Sequence, residues 1–138
     1  MKYKENILVI NEGGIYESMA HAGSHTLSGD EPEELGGKNK GPTAHQYILT
    51  ALGMCVAITL RMYAERKGWD MQKVEVELNM EKGIVEDKES TIIYKKLKFK
   101  GDLDEKQIER LKFIAEKCPV HRTLSGPVYF REFEKMES

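Results

Sequence analysis

The clearest pattern of hydrophobic positions lies within residues 44–67. The only glycine or proline of this stretch is Gly53, and Pro42 and Gly68 stand at its two ends as boundary signals. The apolar stripe at helical spacing comprises Ile48, Ala51, Leu52, Cys55, Ile58, Thr59 and Met62. Because this stripe is broad and almost uncharged before Arg61, we predict a long helix that is buried on most sides, in a core or an interface.

Shorter patterns precede this helix. Residues 2–10, with apolar side chains at Tyr3, Ile7 and Val9, predict a strand, and the Asn-Glu-Gly-Gly run at 11–14 predicts a turn. Residues 15–20 then read as the returning strand of a hairpin. Residues 22–42 are rich in glycine, serine and charge, which predicts a loop with one short strand near 25–27.

Apolar and charged residues alternate over 74–81 and again over 96–100, which predicts a β-hairpin with one wet face. The charged turn near 85–89 sets an antiparallel register. The predicted pairs are Val76 with Phe99, Leu78 with Leu97, Glu75 with Lys100 and Glu77 with Lys98. Lys95 breaks the alternation, so we expect irregular pairing towards the turn.

A second helix is predicted to begin after Asp104, with Gln107 as the partner in a capping box. Its apolar stripe comprises Ile108, Leu111, Ile114, Ala115 and Cys118. Pro119 predicts that this helix ends directly after Cys118. The apolar side chains at Val128, Phe130 and Phe133 predict a last strand. The order of strands and helices indicates the α+β class.

Composition restricts the functional classes. The 138 residues suit one domain over 1–138, and 40% hydrophobic with 32% charged residues is a soluble globular composition. The net charge of −2 gives no electrostatic case for a nucleic-acid partner. We see no signal peptide and no apolar run of the ~20 residues that a membrane span needs, so we expect a cytoplasmic protein. In that compartment cysteines are reduced, metal-bound or redox-active.

The two cysteines, Cys55 and Cys118, both lie on predicted apolar helix stripes. A single cysteine in such a place is usually an inert, buried hydrophobic residue. As a pair they have a second interpretation, because two packed helices would bring the sulfurs together if the Cα atoms came within about 7 Å. The pattern by itself leaves both interpretations open.

Two cysteine motifs carry a resemblance to a known family. Residues 41–55, continued by 59–64, strongly resemble the first-cysteine helix of the OsmC/Ohr family, the osmotically inducible protein C-like and organic hydroperoxide resistance proteins. Residues 118–124 resemble the second-cysteine motif of that family, and 31–32 with 36–37 fit the loop before the first helix in an OsmC-like subgroup. The resemblance spans nearly the whole chain.

This resemblance implies an OsmC-like fold, with antiparallel sheets around long central helices, in an intertwined homodimer with active sites at its interface. It implies a thiol peroxidase of the oxidative stress response in which Cys55 is the peroxidatic and Cys118 the resolving thiol. Organic hydroperoxides would be the substrates, and an external dithiol or lipoyl-type reductant would restore the thiols. No metal, haem or flavin cofactor is expected.

The chain departs from the family in the group that favours the thiolate. Well-studied members use an arginine from the N-terminal region, held by a glutamate near the start of the first-cysteine helix. Here no arginine precedes Arg61, and Gln46, with His45 beside it, occupies the glutamate region. The candidate substitutes are Arg122, His121, His45, Lys38 and Lys40. Arg122 ranks first because its charge does not depend on pH, although a surface arginine paired with an acid is the alternative interpretation.

Other charged and aromatic residues have structural interpretations. Arg61 and Glu65 are four residues apart on the predicted helix and are interpreted as helix-surface charge and not as catalytic residues. His21 and His25 have metal-pair spacing only on a helix, which their surroundings do not predict, so no metal site is expected. Trp69 is expected to anchor a core or an interface.

Two further functions stay open beside the peroxidase. One is a redox-sensitive OsmC-like protein that binds a small apolar or thiol-bearing ligand without efficient peroxidase turnover, which the missing arginine–glutamate pair favours. The other is a dimeric scaffold with purely structural cysteines.

Overall fold

The computed structural model describes residues 6–133, which contain five strands and three α-helices. In chain order these are β1 Ile7–Ile10, β2 Ser18–Ala22, β3 His25–Gly29, α1 Ala44–Lys67, β4 Lys73–Val85, β5 Lys88–Lys100, α2 Glu105–Ala115 and α3 Pro119–Ser125. A short 3-10 helix, Glu33–Leu35, lies between β3 and α1. The predicted α+β class is confirmed. The part of the predicted first strand before residue 6 lies outside the described residues.

The chain divides into two compact units, Met1–Ile48 and Leu49–Ser138. The first unit contains a three-stranded antiparallel sheet in the order β1-β2-β3, and the second contains the two-stranded sheet β4-β5 with α2 and α3. Helix α1 begins in the first unit and continues through the second. One domain over the whole chain therefore stays a prediction.

The sheet of the first unit confirms the predicted hairpin and the short third strand. Gly13 and Gly14 turn the chain with φ of 84° and 71°, a region of backbone space open to glycine. Large apolar side chains are exposed on both faces of this sheet: Ile7, Leu8, Val9, Ile10, Met19 and Leu27. A sheet that is apolar on both faces needs covering on both, because one packed face buries only alternate residues of each strand.

The loop after β3 is held by a buried carboxylate. Asp30 is 6% exposed, and its oxygens accept the backbone N–H groups of Glu31 at 2.7 Å, Lys38 at 3.2 Å and Lys40 at 3.1 Å. Burial alone would raise the pKa of Asp30, but these three donors outweigh it and the pKa is lowered overall. The ionised carboxylate thus stabilises the folded loop.

Asp30→Asn is expected to destabilise the protein at neutral pH but not in acid. A carboxyl whose folded pKa lies below the ordinary value of about 3.9 contributes stability above that value, and the contribution is lost as pH falls through the folded pKa. Urea unfolding of both proteins between pH 2 and 7 measures the difference, with Glu33→Gln in the same loop as the exposed control. A difference that is constant across this range would contradict the assignment.

Helix α1 has the predicted bounds, and part of its predicted apolar stripe lies outside the core of the second unit. The core of the second unit is formed by Leu52, Val56, Leu60, Tyr63, Ala64, Met71, Leu111, Ala115 and Cys118. Ile58 and Met62, both assigned to the buried stripe, are 54% and 64% exposed. The helix is apolar nearly all round, so its spacing does not decide which face meets α2 and the hairpin.

The exposed apolar face of α1 comprises Ala51, Met54, Ile58 and Met62, which recur three and four residues apart. By length and composition α1 is also the one helix of the described residues that could cross a membrane, with a mean hydropathy of 1.5 over an 18-residue window. Core helices of soluble proteins pass the same test, so this is weak evidence for a span.

The hairpin β4-β5 forms in a register two residues from the predicted one. The observed pairs include Val74 with Phe99, Val76 with Leu97, Glu75 with Lys98, Glu77 with Lys96 and Leu78 with Lys95. A two-residue turn at Glu86 and Asp87, with φ of 51° and 63°, centres the strands earlier than expected. A shift of two keeps every side chain on its predicted face. The expected irregularity at Lys95 is wrong, since pairing runs unbroken to Val85 and Lys88.

The second predicted helix forms two helices. The Asp104–Gln107 capping box is confirmed, but α2 ends at Ala115 and not at Cys118. Cys118 is extended, with φ −65° and ψ 144°, and caps the new helix α3, which begins at Pro119. Proline disfavours helical backbone in the preceding residue and suits the first turn of a helix, so it starts α3 as well as stopping α2.

The predicted last strand is also wrong within the described residues. No strand follows Ser125 up to residue 133, and the side chain of Phe130 is 93% exposed. Val128 and Tyr129 are exposed beside it. A strand needs the edge of another strand to satisfy its backbone groups, so apolar alternation alone does not form one.

The connection between α1 and β4 is held by Arg61. Its guanidinium donates to the carbonyls of Met71 and Gln72, the latter at 3.2 Å, so Arg61 has a structural role beyond that of a helix-surface charge. Trp69 meets Tyr63 edge to face at 5.5 Å and packs on the core, as predicted.

Candidate redox site

The structure brings the two cysteines together. Cys55, in the middle of α1, is half-buried, and Cys118, before α3, is fully buried. Both are free thiols. The backbone N–H of Val120 donates to Cys55 Sγ at 3.5 Å, and that of His121 donates to Cys118 Sγ at 3.2 Å. The first turn of α3 therefore contacts both sulfur atoms.

This arrangement follows from Pro119. It holds Cys118 in the extended cap position, so that its thiol reaches forward over the first turn of α3. The first N–H groups of a helix have no partner inside the helix. Here two of them, from Val120 and His121, find sulfur atoms as acceptors.

The two thiols are not equivalent. Burial is the largest cause that raises the pKa of Cys118, and a hydrogen bond to Cys55 raises it further, against the opposing N–H groups of His121 and Val120. Cys118 therefore holds its proton more strongly than an ordinary thiol.

The predicted supporting residues at the start of α1 have other roles or none. Gln46 forms a reciprocal capping box with Thr43: its Oε1 accepts the Thr43 N–H at 2.9 Å, and its own N–H donates to Thr43 Oγ1 at 3.1 Å. The Thr-x-x-Gln spacing could have predicted this from the sequence. His45 is exposed on the first helical turn.

Arg122, the cationic candidate that ranks first, makes no hydrogen bond to either sulfur atom. Arg122 is exposed, and its guanidinium makes no hydrogen bond or ion pair within residues 6–133. Lys38 and Lys40 use their backbone N–H groups to bind Asp30. Among residues 49–133, the groups that donate to the two sulfurs from outside the pair are backbone N–H groups.

A cavity of about 300 Å³ in the second unit was not anticipated from the sequence. It is lined by Leu52, Thr91, Ile93, Lys95, His121, Leu124 and Ser125. His121 contacts both features: it lines the wall of this cavity, and its backbone N–H donates to Cys118 Sγ. The break in alternation at Lys95 was the sequence feature that could have indicated it.

The α+β fold thus places a buried thiol near a half-exposed one. Among residues 6–133 no three potential metal ligands cluster together. Residues 37–132, which are 96 of the 138, match the family of OsmC-like proteins. The chain therefore belongs to the OsmC-like family, as its cysteine motifs predicted.

Solved structures share this fold. The OsmC-like protein of Mycoplasma pneumoniae is 20% identical, with a TM-score of 0.74 over 91% of this chain and 90% of that one. An organic hydroperoxide resistance protein OsmC of Legionella pneumophila is 20% identical, with a TM-score of 0.66 over 91% and 93%. An organic hydroperoxide resistance protein of Elizabethkingia anophelis is 16% identical, with 0.63 over 91% and 92%. No curated protein matches the chain.

Proposed function

We propose that this protein is a cytoplasmic, thiol-dependent peroxidase that reduces organic hydroperoxides. The observation that carries the proposal is that the first turn of α3 donates backbone N–H groups to the sulfur atoms of both buried Cys118 and half-exposed Cys55. Membership of the OsmC-like family supports it, since structural relatives bear the name of organic hydroperoxide resistance proteins. Two free thiols suit a reducing compartment.

In the first step, the Cys55 thiolate attacks the terminal oxygen of the hydroperoxide. The O–O bond breaks, the sulfur is oxidised to a sulfenic acid, and the alkoxide leaves as the alcohol after taking a proton. The half-exposed position of Cys55 admits the substrate, and the Val120 N–H is the backbone donor nearest to its sulfur. Apolar side chains of the core cluster surround the thiol. They favour an alkyl or aryl hydroperoxide over hydrogen peroxide.

In the second step, Cys118 attacks the Cys55 sulfenic acid. A disulfide forms and water leaves, with the proton supplied by the Cys118 thiol. An external dithiol, of which a lipoyl group is one example, then reduces the disulfide by thiol exchange and is itself oxidised. This cycle uses no metal, haem or flavin. Because the two thiols lie close together, we expect Cys118 to react with the Cys55 sulfenic acid faster than a second peroxide molecule does.

We also propose that the working form is a homodimer with its active sites at the interface. Three apolar surfaces of the single chain support this: the exposed face of α1, both faces of the first sheet, and the exposed segment 128–130. The first unit also contains an open groove with a volume of about 860 Å³, which adds to the exposed apolar area. Its lining includes Ile7, Val9, Tyr16, Leu27 and Leu35. Exposed apolar area of this extent indicates a protein interface.

Cys118→Ser is expected to let Cys55 overoxidise, and this tests the proposed cycle. Without the resolving thiol, the sulfenic acid persists and reacts with further peroxide to the sulfinic acid. Intact-mass spectrometry after treatment with cumene hydroperoxide should show a loss of two hydrogens in the wild type and a gain of two oxygens in the variant. Sustained, undiminished turnover by Cys118→Ser would remove Cys118 from the mechanism.

A redox-sensitive ligand-binding protein is the second candidate function. It is favoured by one observation: within residues 49–133 no cationic side chain hydrogen-bonds to the Cys55 sulfur. In this case the pair would oxidise slowly and report the redox state while a cavity held a small ligand. Slow peroxide consumption that is equal in wild type and Cys55→Ser would favour it.

A further inference from the structure

Lys95 carries a positive charge within a row of apolar side chains on one face of the hairpin β4-β5. It lies on the inner face of the hairpin, directly opposite Leu78, with Ile93 and Leu97 two residues away on the same face of β5. Leu78 in turn lies against Gly53 of α1, where an added Cβ would come within 3.1 Å of Leu78 Cδ1. The lysine stem therefore starts from the side of the sheet that packs on the helix.

Lys95 has no carboxylate directly opposite it in the hairpin, and Glu89, on the same face of β5, is six residues away along the strand. On the outer face, Lys96 and Lys98 have Glu77 and Glu75 directly opposite, which is the expected arrangement for cross-strand charge. Lys95 has a leucine there. Within residues 6–133 it takes part in no ion pair. A partly buried positive charge without an ion-pair partner costs free energy. An anion that binds to it is therefore stabilised more than an anion that binds a lysine at the surface.

The cavity beside Lys95 has the form of a site for a small amphipathic anion. Its apolar wall is made by Leu52, Ile93 and Leu124, and its polar groups are Lys95, His121, Thr91 and Ser125. None of these lining residues is acidic. Lys82 donates to Thr91 Oγ1 at 2.9 Å and adds a second positive charge near the cavity.

The cavity lies beside the redox pair. Leu52 is one helical turn before Cys55 on α1, and His121 lies one turn after Cys118 in α3. A ligand whose apolar body lies along Leu52 can therefore extend from the lysine towards the half-exposed thiol. A volume of about 300 Å³ accommodates a ring or short chain with one charged group.

We propose that Lys95 is a specificity-determining residue that selects hydroperoxides carrying a carboxylate a few carbon atoms from the peroxide. The carboxylate pairs with the Lys95 ammonium, the apolar body lies in the cavity, and the peroxide faces Cys55. This inference rests on the proposed peroxidase function and narrows its substrate class.

The kinetic test compares cumene hydroperoxide bearing a para-carboxylate with the methyl ester of the same molecule. We expect Lys95→Met, which keeps the length of the apolar stem, to lower kcat/KM for the acid about tenfold and to leave the ester within about twofold. Lys95→Arg should retain the preference for the acid. Lys98→Met, on the same strand but the outer face, is the matched control and should change neither substrate.

A binding test separates this inference from the peroxidase proposal. In Cys55→Ser, 4-isopropylbenzoate should shift the NMR signals of cavity residues more strongly than 4-isopropylbenzamide, and Lys95→Met should abolish the difference. Lys95-dependent benzoate binding supports the site even if no turnover is found, in which case the peroxidase proposal alone fails. Equal loss of acid and ester turnover in Lys95→Met, or benzoate binding that survives this substitution, would overturn the inference.

Discussion

Cys55→Ser is expected to lower hydroperoxide turnover by on the order of 10³-fold or more. A serine hydroxyl at neutral pH is a far weaker nucleophile than a thiolate, and no side chain of the described second unit is placed as a base beside this position. The substitution removes one sulfur atom and keeps nearly the same shape in α1. The fold should therefore persist while the chemistry stops.

The measurement is consumption of cumene hydroperoxide with a dithiol reductant, together with circular dichroism to verify folding. Cys118→Ser is the matched control, because it also replaces a thiol of the pair but leaves Cys55 able to reduce the first equivalent of peroxide. Hydrogen peroxide in place of cumene hydroperoxide should turn over more slowly in the wild type. Retention of most of the activity in Cys55→Ser would contradict the proposed function.

Ile58→Glu is expected to dissociate the proposed homodimer. Ile58 lies in the middle of the exposed apolar face of α1, between Met54 and Met62, and is 54% exposed in the single chain. If a partner covers this face, the new carboxylate is buried without a counter-charge, which costs several kcal/mol. A rise of roughly 100-fold or more in the dimer dissociation constant follows from that cost.

Sedimentation equilibrium over a range of concentrations measures this constant. Lys112→Glu, a charge change at an exposed position of α2, is the control and should leave the mass unchanged. The same experiment links assembly to activity, since an active site at the interface would lose turnover as the dimer dissociates. A wild-type mass equal to one chain, or a variant as dimeric as the wild type, would exclude this face from an interface.

Local sequence patterns predicted many of the elements well. The bounds of α1, the capping box at Asp104 and the hairpin of the first unit each depend on residues a few positions apart, and each is confirmed. Glycine and proline act at their own position and at its neighbours, so the ends of elements could be read without knowledge of the tertiary structure. The family motifs around Cys55 and Cys118 likewise predicted the OsmC-like fold.

The errors occurred where two patterns were compatible with the same residues. Charged residues fill the hairpin turn, and neither Glu86 nor Asp87 is a glycine that would indicate positive φ, so the turn was centred one position late and the register was shifted by two residues. On α1 the apolar residues surround the helix, and the choice of Leu60 over Ile58 for the core depends on what α2 presents to it. These are questions of packing and not of propensity.

The amino-acid sequence by itself determined most of the elements, the family and the pair of cysteines. Only the tertiary structure decided that Cys118 caps α3, that burial raises the pKa of its thiol, and that Lys95 lines a cavity. The physical reason is the range of the forces involved. Helix periods and caps act within a turn of chain, whereas burial and the hydrogen bond from Val120 to Cys55 join residues 65 positions apart.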